Sequence, residues 1–569
     1  MSTFRNQGAH SSRAVWGRAS DLVAALRQRL TWAWIREYLP WVNSASVRRR
    51  AAVVLPPYRR VYTVRRAILP FLVFPPLCLG CLIYGFFFGL NAPYLIVQFA
   101  APIGVLALLS IWALPDRRAA PTAGIEFCFL AFVVLLILWP DYLAIALPGL
   151  PWITSLRLVG LPMAGLLLIS LSVSQSFSAE VARSVTAIKP LWYALCGFWT
   201  LQCVSILFSH APAFSVNLVV TYAINWTSVF VVSCLIFRRP EFVERYMALL
   251  CLLGAPICLV TFLEFRAQHI LWAQHLPPFL ENPSDPTFFH SLEPVFRPGT
   301  NVYRAKATFK TPLVLAEYLG MLTPFLLFFA TSRRSLSIRV GAALMIPVCF
   351  VVIRMTDARL GLVAMLVSIL VYGLAWSYRE WRSRPQNLLS TAILFASPAA
   401  FMAGLGVVFA SHSLNMMVFG GEAQASSTAA RQGQLGMALD QVAHQPWGYG
   451  PGQSGGAMGY GEGSFITIDN YFISLILDYG VIGALLWYSA FFIGIYSAVR
   501  YAFGEKYVPR REAQLLMPLG VALCAFLVVK WVHGQYDLHA TEYMMLGMIS
   551  ALVFRLRNDR AAGLATEGS

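Results

Sequence analysis

Runs of about 20 apolar residues recur along this 569-residue chain from Ile68 to Phe554. A run of that length matches the hydrocarbon core of a bilayer, and only a helix satisfies its own backbone polar groups there. The sequence therefore predicts an all-α polytopic bundle of about fourteen spans. They are expected near 68–90, 94–114, 124–140, 158–174, 191–209, 216–237, 246–264, 312–331, 340–355, 360–376, 389–410, 481–499, 515–532 and 541–554. An even number places both termini on one side. Composition excludes a water-soluble domain: 58% of residues are hydrophobic and only 12% are charged, with mean hydropathy +0.63.

Lys and Arg near span ends stay on the cytoplasmic side, so their distribution orients the bundle. The first 66 residues carry thirteen Arg, and the loops on that side bring the total to thirty-three of the 43 basic residues. The net charge of +17 thus reads as orientation and attraction to anionic headgroups, not as nucleic-acid binding. Topology leaves ten basic residues for the other face: Arg157, Arg266, Arg297, Arg304, Lys306, Lys310, Arg354, Arg359, Arg431 and Lys530. These exceptions call for another explanation.

The expected organisation follows from the spans. Residues 1–66 form a basic cytoplasmic arm with an interfacial helix over Leu22–Tyr38, and 67–264 hold the N-terminal spans. A periplasmic loop over 265–311 precedes central spans at 312–410, and a larger loop over 411–469 precedes C-terminal spans at 470–556 and a tail at 557–569. The apolar stretch after Ile68 exceeds a signal h-region. The larger loop begins near His412, passes Arg431 in a predicted helix over Ser427–Val442, and enters a Gly-rich run over Gly448–Gly463. Long ordered loops on such a scaffold are where binding and chemistry concentrate. All ten Cys fall inside expected spans, and the pair Cys78 and Cys81 lacks a second pair to complete a metal site. No His-x-x-x-His or comparable ligand set occurs, so neither a metal nor another cofactor is expected.

Four segments in order carry the chemistry. Arg304-Ala-Lys306-Ala-Thr-Phe is followed by Pro312 and by Ala-Glu317-Tyr. Next come Thr356-Asp357-Ala358-Arg359-Leu360-Gly361, and then Arg431 with the run Pro446-Trp-Gly448-Tyr-Gly450-Pro-Gly452. The last is Asp469-Asn470, nine residues, Gly480, two residues and Gly483. Together they resemble the O-antigen ligases and related bacterial polysaccharide polymerases over residues 300–485. In that family the position of Asp469 is His.

The resemblance implies a GT-C-like glycosyltransferase of the bacterial inner membrane. It would transfer glycan from undecaprenyl diphosphate to an acceptor hydroxyl at the periplasmic face, without a metal. It implies catalytic Asp469, Arg359 and Arg431, with Arg304, Lys306, Glu317 and Asn470 binding substrate. Such a transfer needs cations on the leaving diphosphate and a base for the acceptor proton, and Arg offers bidentate phosphate contacts.

Each residue also has a structural reading. Arg359 either binds phosphate or pairs with Asp357 or another carboxylate, and Arg431 either binds phosphate or faces water. Glu317 either pairs with Arg304 or Lys306 or lines an acceptor path. Asp469 is a base, an N-cap for the following helix, or both. If it is only a cap, His533, in the group Lys530, His533, Asp537 and His539, is the alternative base. Asp in place of His favours polymerisation of lipid-linked repeat units into exopolysaccharide, capsule or O-antigen, assisted by a chain-length regulator. The competitors are a ligase acting on lipid A core or protein and, from another class, a flippase or transporter, to which Pro75, Pro76, Pro162 and Pro347 within apolar spans also correspond.

Overall fold

The computed structural model describes residues 96–114, 120–145, 153–239, 241–281, 286–297, 301–332, 334–384, 386–411, 422–459, 468, 470–504 and 511–567, with short pieces at 75–76 and 79–80. The interfacial helix over Leu22–Tyr38, most of the span at 68–90, Cys78, Cys81, His412 and Asp469 lie outside the described residues.

The chain runs through α1 (Ile96–Trp112), α2 (Thr122–Leu138), α3 (Ser155–Val173), α4 (Gln175–Val185), α5 (Lys189–Ser205), α6 (Pro212–Tyr222), α7 (Ser228–Ile236), α8 (Phe242–Ala267) and the short α9 (Pro286–Leu292). It continues with α10 (Pro312–Thr331), α11 (Leu336–Met355), α12 (Arg359–Ser383), α13 (Leu388–Ala410), α14 (Glu422–His444), α15 (Ser454–Ala457), α16 (Tyr471–Phe503), α17 (Arg511–Lys530) and α18 (His539–Glu567). A two-stranded antiparallel ribbon, β1 (Ala144–Ile145) and β2 (Ile153–Thr154), lies between α2 and α3.

The protein is a polytopic helical membrane protein. Among the described residues nine helices are long and apolar enough to cross a membrane. The expectation of about fourteen differs mainly in length. Helices α1 and α2 have 17 residues each, α18 turns basic at Arg555, and the first expected span is mostly outside the description.

Helix α10 is the hub, 83% buried over its apolar window, whereas α11 beside it is 22% buried and presents Leu344, Val348 and Val351 outward. It packs against α8, α11, α12 and α17. Its start is set by Thr311 in extended conformation and Pro312, whose fixed φ suits the first helical turn. Small residues bring α10 and α12 together: a Cβ on Gly320 would lie 2.6 Å from that of Ala364, and one on Gly361 2.7 Å from that of Ala316.

The two ends of the bundle differ in charge arrangement. At one end arginines are matched to carboxylates: Arg239 to Glu126, Arg238 to Glu180, Arg555 to Glu512, and both Arg334 and Arg511 to Glu244. At the other end the close of α8, the close of α11, the start of α12 and the close of α17 meet the 295–311 loop and the start of α10. Most of the topologically unexplained cations gather there.

Candidate active site

The turn between α11 and α12 organises this end. The Ala305 amide donates to the Met355 carbonyl (3.1 Å), and Arg304 Nε donates to the Thr356 carbonyl (3.1 Å). Asp357 takes a left-handed conformation, φ 49°. That geometry turns its carboxylate to Arg297, whose Nε lies 2.5 Å from Oδ2 and whose Nη2 donates to the Asp357 carbonyl oxygen at 2.8 Å. Asp357 is thus held by Arg297, and the pairing with Arg359 expected from their proximity in sequence does not form. Arg359, the first residue of α12, is half-buried, and among the described residues its guanidinium has no hydrogen-bond or ion-pair partner. Arg297, Arg359 and the exposed Arg354 surround this one carboxylate, with Arg304 alongside. Burial lowers the Arg304 pKa, Arg297 adds to the fall and Asp357 opposes it. An arginine remains charged after such a shift, so the turn carries a surplus of fixed positive charge.

Glu264, at the end of α8, holds the neighbouring loop. Its carboxylate accepts from Tyr303 Oη (2.9 Å) and from the amides of Lys306 (3.0 Å) and Ala307 (2.7 Å). Lys306 is consequently drawn inside, 2% exposed, where its Nζ donates to the Ser291 carbonyl at 2.7 Å. Burial pushes its pKa down to about 8, although Glu264 and Glu293 pull the other way. The Lys306 ammonium, read from sequence as a substrate contact, is engaged with the 291–307 loop in this structure.

Lys310 bridges toward Asp537 (3.6 Å) and Asp141 (4.0 Å), and Asp537 raises its pKa. The next residue, Thr311, donates to Gln535 Oε1 at 2.7 Å. Deeper, Glu317 pairs with Lys530 at 3.0 Å, both side chains being at most 1% exposed. His533 Nε2 lies 3.4 Å from the same carboxylate, and Lys530 also donates to the Gln535 carbonyl at 2.5 Å. The pairing of Glu317 with Arg304 or Lys306 expected from sequence is therefore replaced by one across the core, to α17. His533 is buried, and burial together with the Lys530 charge holds its pKa well below the ordinary histidine value.

The two glycine motifs fit into each other. Gly480 has φ 70° and ψ −179°, which breaks α16 into 471–479 and 481–503. Into this break sits the run after His444. The Tyr449 amide donates to the Leu477 carbonyl (2.7 Å) and the Gly450 amide to the Asp478 carbonyl (3.0 Å). Gly448, Gly450 and Gly452 have φ of 90°, 100° and 73°, a region that residues with a Cβ rarely occupy. A Cβ on Gly448 would meet the Asp478 carbonyl, and one on Gly480 the Pro446 carbonyl. Asp478 Oδ1 accepts from the Ser454 amide at 2.7 Å, tying down the far end of the run. Apolar side chains complete the joint, with Ala438 and Val442 of α14 packed on Ile473 and Leu477 of α16.

The N-cap of α16 is Asn470, whose Oδ1 accepts from the Phe472 amide at 2.8 Å. Asn470 thus serves the helix that the sequence reading allowed Asp469 to cap. Asp469 itself is outside the described residues, but its neighbours Ile468 and Asn470 lie against Gly534, next to His533. Arg431 lies within α14, and its side chain is outside the description. The structure thus brings Arg304 and Arg359 together around one turn and buries Lys306 and Glu317. Arg297, Glu264 and Asp478 were not singled out by motif. For Arg297 the signal was its place among the ten cations unexplained by topology. Among the described residues no group of three or more His, Cys, Asp or Glu could hold a metal ion.

These features define a multi-pass helical membrane protein with a guanidinium-rich turn at one end of the bundle. Residues 342–488 match the family model described as O-antigen ligase. The matched stretch runs from α11 through the Thr356–Gly361 turn to just beyond Gly480. No curated protein matches the chain.

Proposed function

We propose that this protein polymerises undecaprenyl-diphosphate-linked oligosaccharide repeat units at the periplasmic face of the bacterial inner membrane, both of its termini being cytoplasmic. The observation that carries this reading is the cluster of Arg297, Arg304 and Arg359 around a single carboxylate, inside or adjoining the family-matched segment. Arg304, Arg359 and, from α14, Arg431 bind the diphosphate of the donor. Asp469, beside Asn470, takes the proton from the acceptor hydroxyl. The acceptor oxygen then bonds to the anomeric carbon as the bond to the diphosphate oxygen breaks, and the guanidinium groups stabilise the charge growing on the leaving group. Lys306 and Glu317 act by positioning: one fixes the 291–307 loop and the other holds Lys530 under the His533–Asp537 segment. No metal enters this scheme.

The description of the matched family favours a second reading, a ligase that transfers one finished glycan. Reconstitution of the purified protein with an undecaprenyl-diphosphate-linked repeat unit separates the two. A ladder of products supports polymerisation, and a single transfer to an added lipid A core acceptor supports ligation. Arg359→Ala and Asp469→Ala are expected to abolish product while the protein still inserts in the membrane. Normal product length and yield from both variants would end the proposal.

A further inference from the structure

At the end of the bundle opposite the arginine turn lies a cavity of about 820 Å³, a size typical of ligand sites. Ser332, at its rim, is fifteen residues beyond Glu317, or about 22 Å along the axis of α10 and the residue that follows it. The cavity is thus separate from the site described above.

Three chain segments and Glu244 of α8 line it, and each of the three segments changes character in the same direction. From α10 come Phe328, then Thr331 and Ser332, then Arg334. From α12 come Tyr372 and Trp376, then Arg379 and Arg382, then Arg384. From α17 come Met517, then Gln514, then Arg511. The deep part is aromatic and apolar, closed where Thr331 Oγ1 meets Tyr372 Oη at 2.7 Å. Among the described residues the rim holds five arginines against two carboxylates, Glu244 and Glu380, a surplus of three positive charges. Glu244 grips both Arg334 and Arg511, and Glu380 lies 3.6 Å from Arg384, so the guanidinium groups are held at the rim.

We propose that this cavity is a binding site for the phosphate headgroup of an anionic membrane lipid. Guanidinium groups match phosphate oxygens in charge and in forked geometry. All three contributing helices are long and apolar enough to span a membrane, so the cavity lies at span ends, where headgroups are found. Free phosphate would use only the arginine rim. The floor of Phe328, Tyr372, Trp376 and Met517 fits the glycerol and upper acyl region of a lipid.

The test uses the full chain in nanodiscs of phosphatidylcholine containing a minority of phosphatidylglycerol. After extraction into detergent, lipid retained per chain is read by mass spectrometry. Phosphatidylglycerol should be retained over phosphatidylcholine, and the double variant Arg379→Gln with Arg384→Gln should lower that retention about tenfold or more. Arg183→Gln, at the same end of the bundle but outside the cavity, should leave it unchanged. Equal retention of the two lipids, or unchanged retention in the double variant, overturns the proposal. Displacement of phosphatidylglycerol by millimolar inorganic phosphate also overturns it, by assigning the site to free phosphate. If the double variant does not fold, the two single variants are read by the phosphatidylglycerol-induced rise in melting temperature. A rise as large as that of the unaltered protein in both overturns the assignment, and a reduced rise in either supports it.

Discussion

Gly480 lies so close beneath Pro446 that a Cβ on the glycine would overlap the proline carbonyl oxygen. The φ and ψ of Gly480 are themselves accessible almost only to glycine. Gly480→Ala should therefore cost about 1–3 kcal/mol in backbone strain, and more from the clash. A lower melting temperature in detergent, together with loss of glycan transfer, is the expected outcome. Gly483→Ala is a useful comparison, because a Cβ there would also be crowded, by the Tyr479 Cβ, but Gly483 does not have the positive φ of Gly480. It should be the milder of the two.

Lys530 and Glu317 form an ion pair that is almost entirely enclosed. Removing one partner leaves the other charge buried and uncompensated, which typically costs about 3–5 kcal/mol. Lys530→Met should thus be poorly folded, whereas Lys530→Met with Glu317→Leu should regain much of the lost stability. Thermal melts of the four proteins of this cycle give the coupling directly. Simple additivity of the two single changes would show that the pair matters little.

Arg359 is held at the head of α12 without a carboxylate partner among the described residues, whereas Arg297 is committed to Asp357. Arg359→Lys keeps the charge and loses the planar fork. Transfer should fall by roughly 10² or more, with the melting temperature nearly unchanged. Arg297→Lys should reduce both, because it loosens the turn that places Arg359. Steady-state rates and melts on the same preparations separate the two behaviours.

Lys306 gives a dependence on pH. Its folded pKa of about 8 lies below the unfolded value of 10.5, so between those values the unfolded chain binds more protons than the folded one. Stability from this group therefore rises as pH increases from 8 to 10.5, and the charged form weighs against folding below pH 8. The difference amounts to about 3 kcal/mol at most. Melting temperature plotted against pH should climb more steeply over this window in the unaltered protein than in Lys306→Met. Parallel curves would refute the assignment.

The membrane architecture was legible because it rests on a local property: any 20 consecutive apolar residues reveal it. The start of α16 was not. Hydropathy placed a span at 481–499, while the helix begins at Tyr471, because Ile473 and Leu477 gain their burial from α14 and not from lipid. The same holds for charge pairs. Asp357 and Arg359 are two residues apart and looked like partners, yet the left-handed turn at Asp357 sends its carboxylate to Arg297, sixty residues away. Glu317 finds Lys530 at a separation of 213 residues. Motif spacing picked out segments that the fold brings together in pairs, Arg304 with Thr356 and the Gly448–Gly452 run with the break at Gly480. It could not say which members of each motif touch substrate and which hold the others in place.

The seating of the 445–454 run in the break of α16 also orders the way this protein is made. The run's contact with α6, where Ser215 Oγ donates to the Pro451 carbonyl, involves residues made earlier, but its seat on Leu477 and Asp478 exists only once Gly480 has been synthesised and the helix has bent there, and the bent helix in turn packs on α17, which emerges later still. The joint between the run and α16 is therefore completed only as the last spans enter the membrane, and an unfinished chain lacks it.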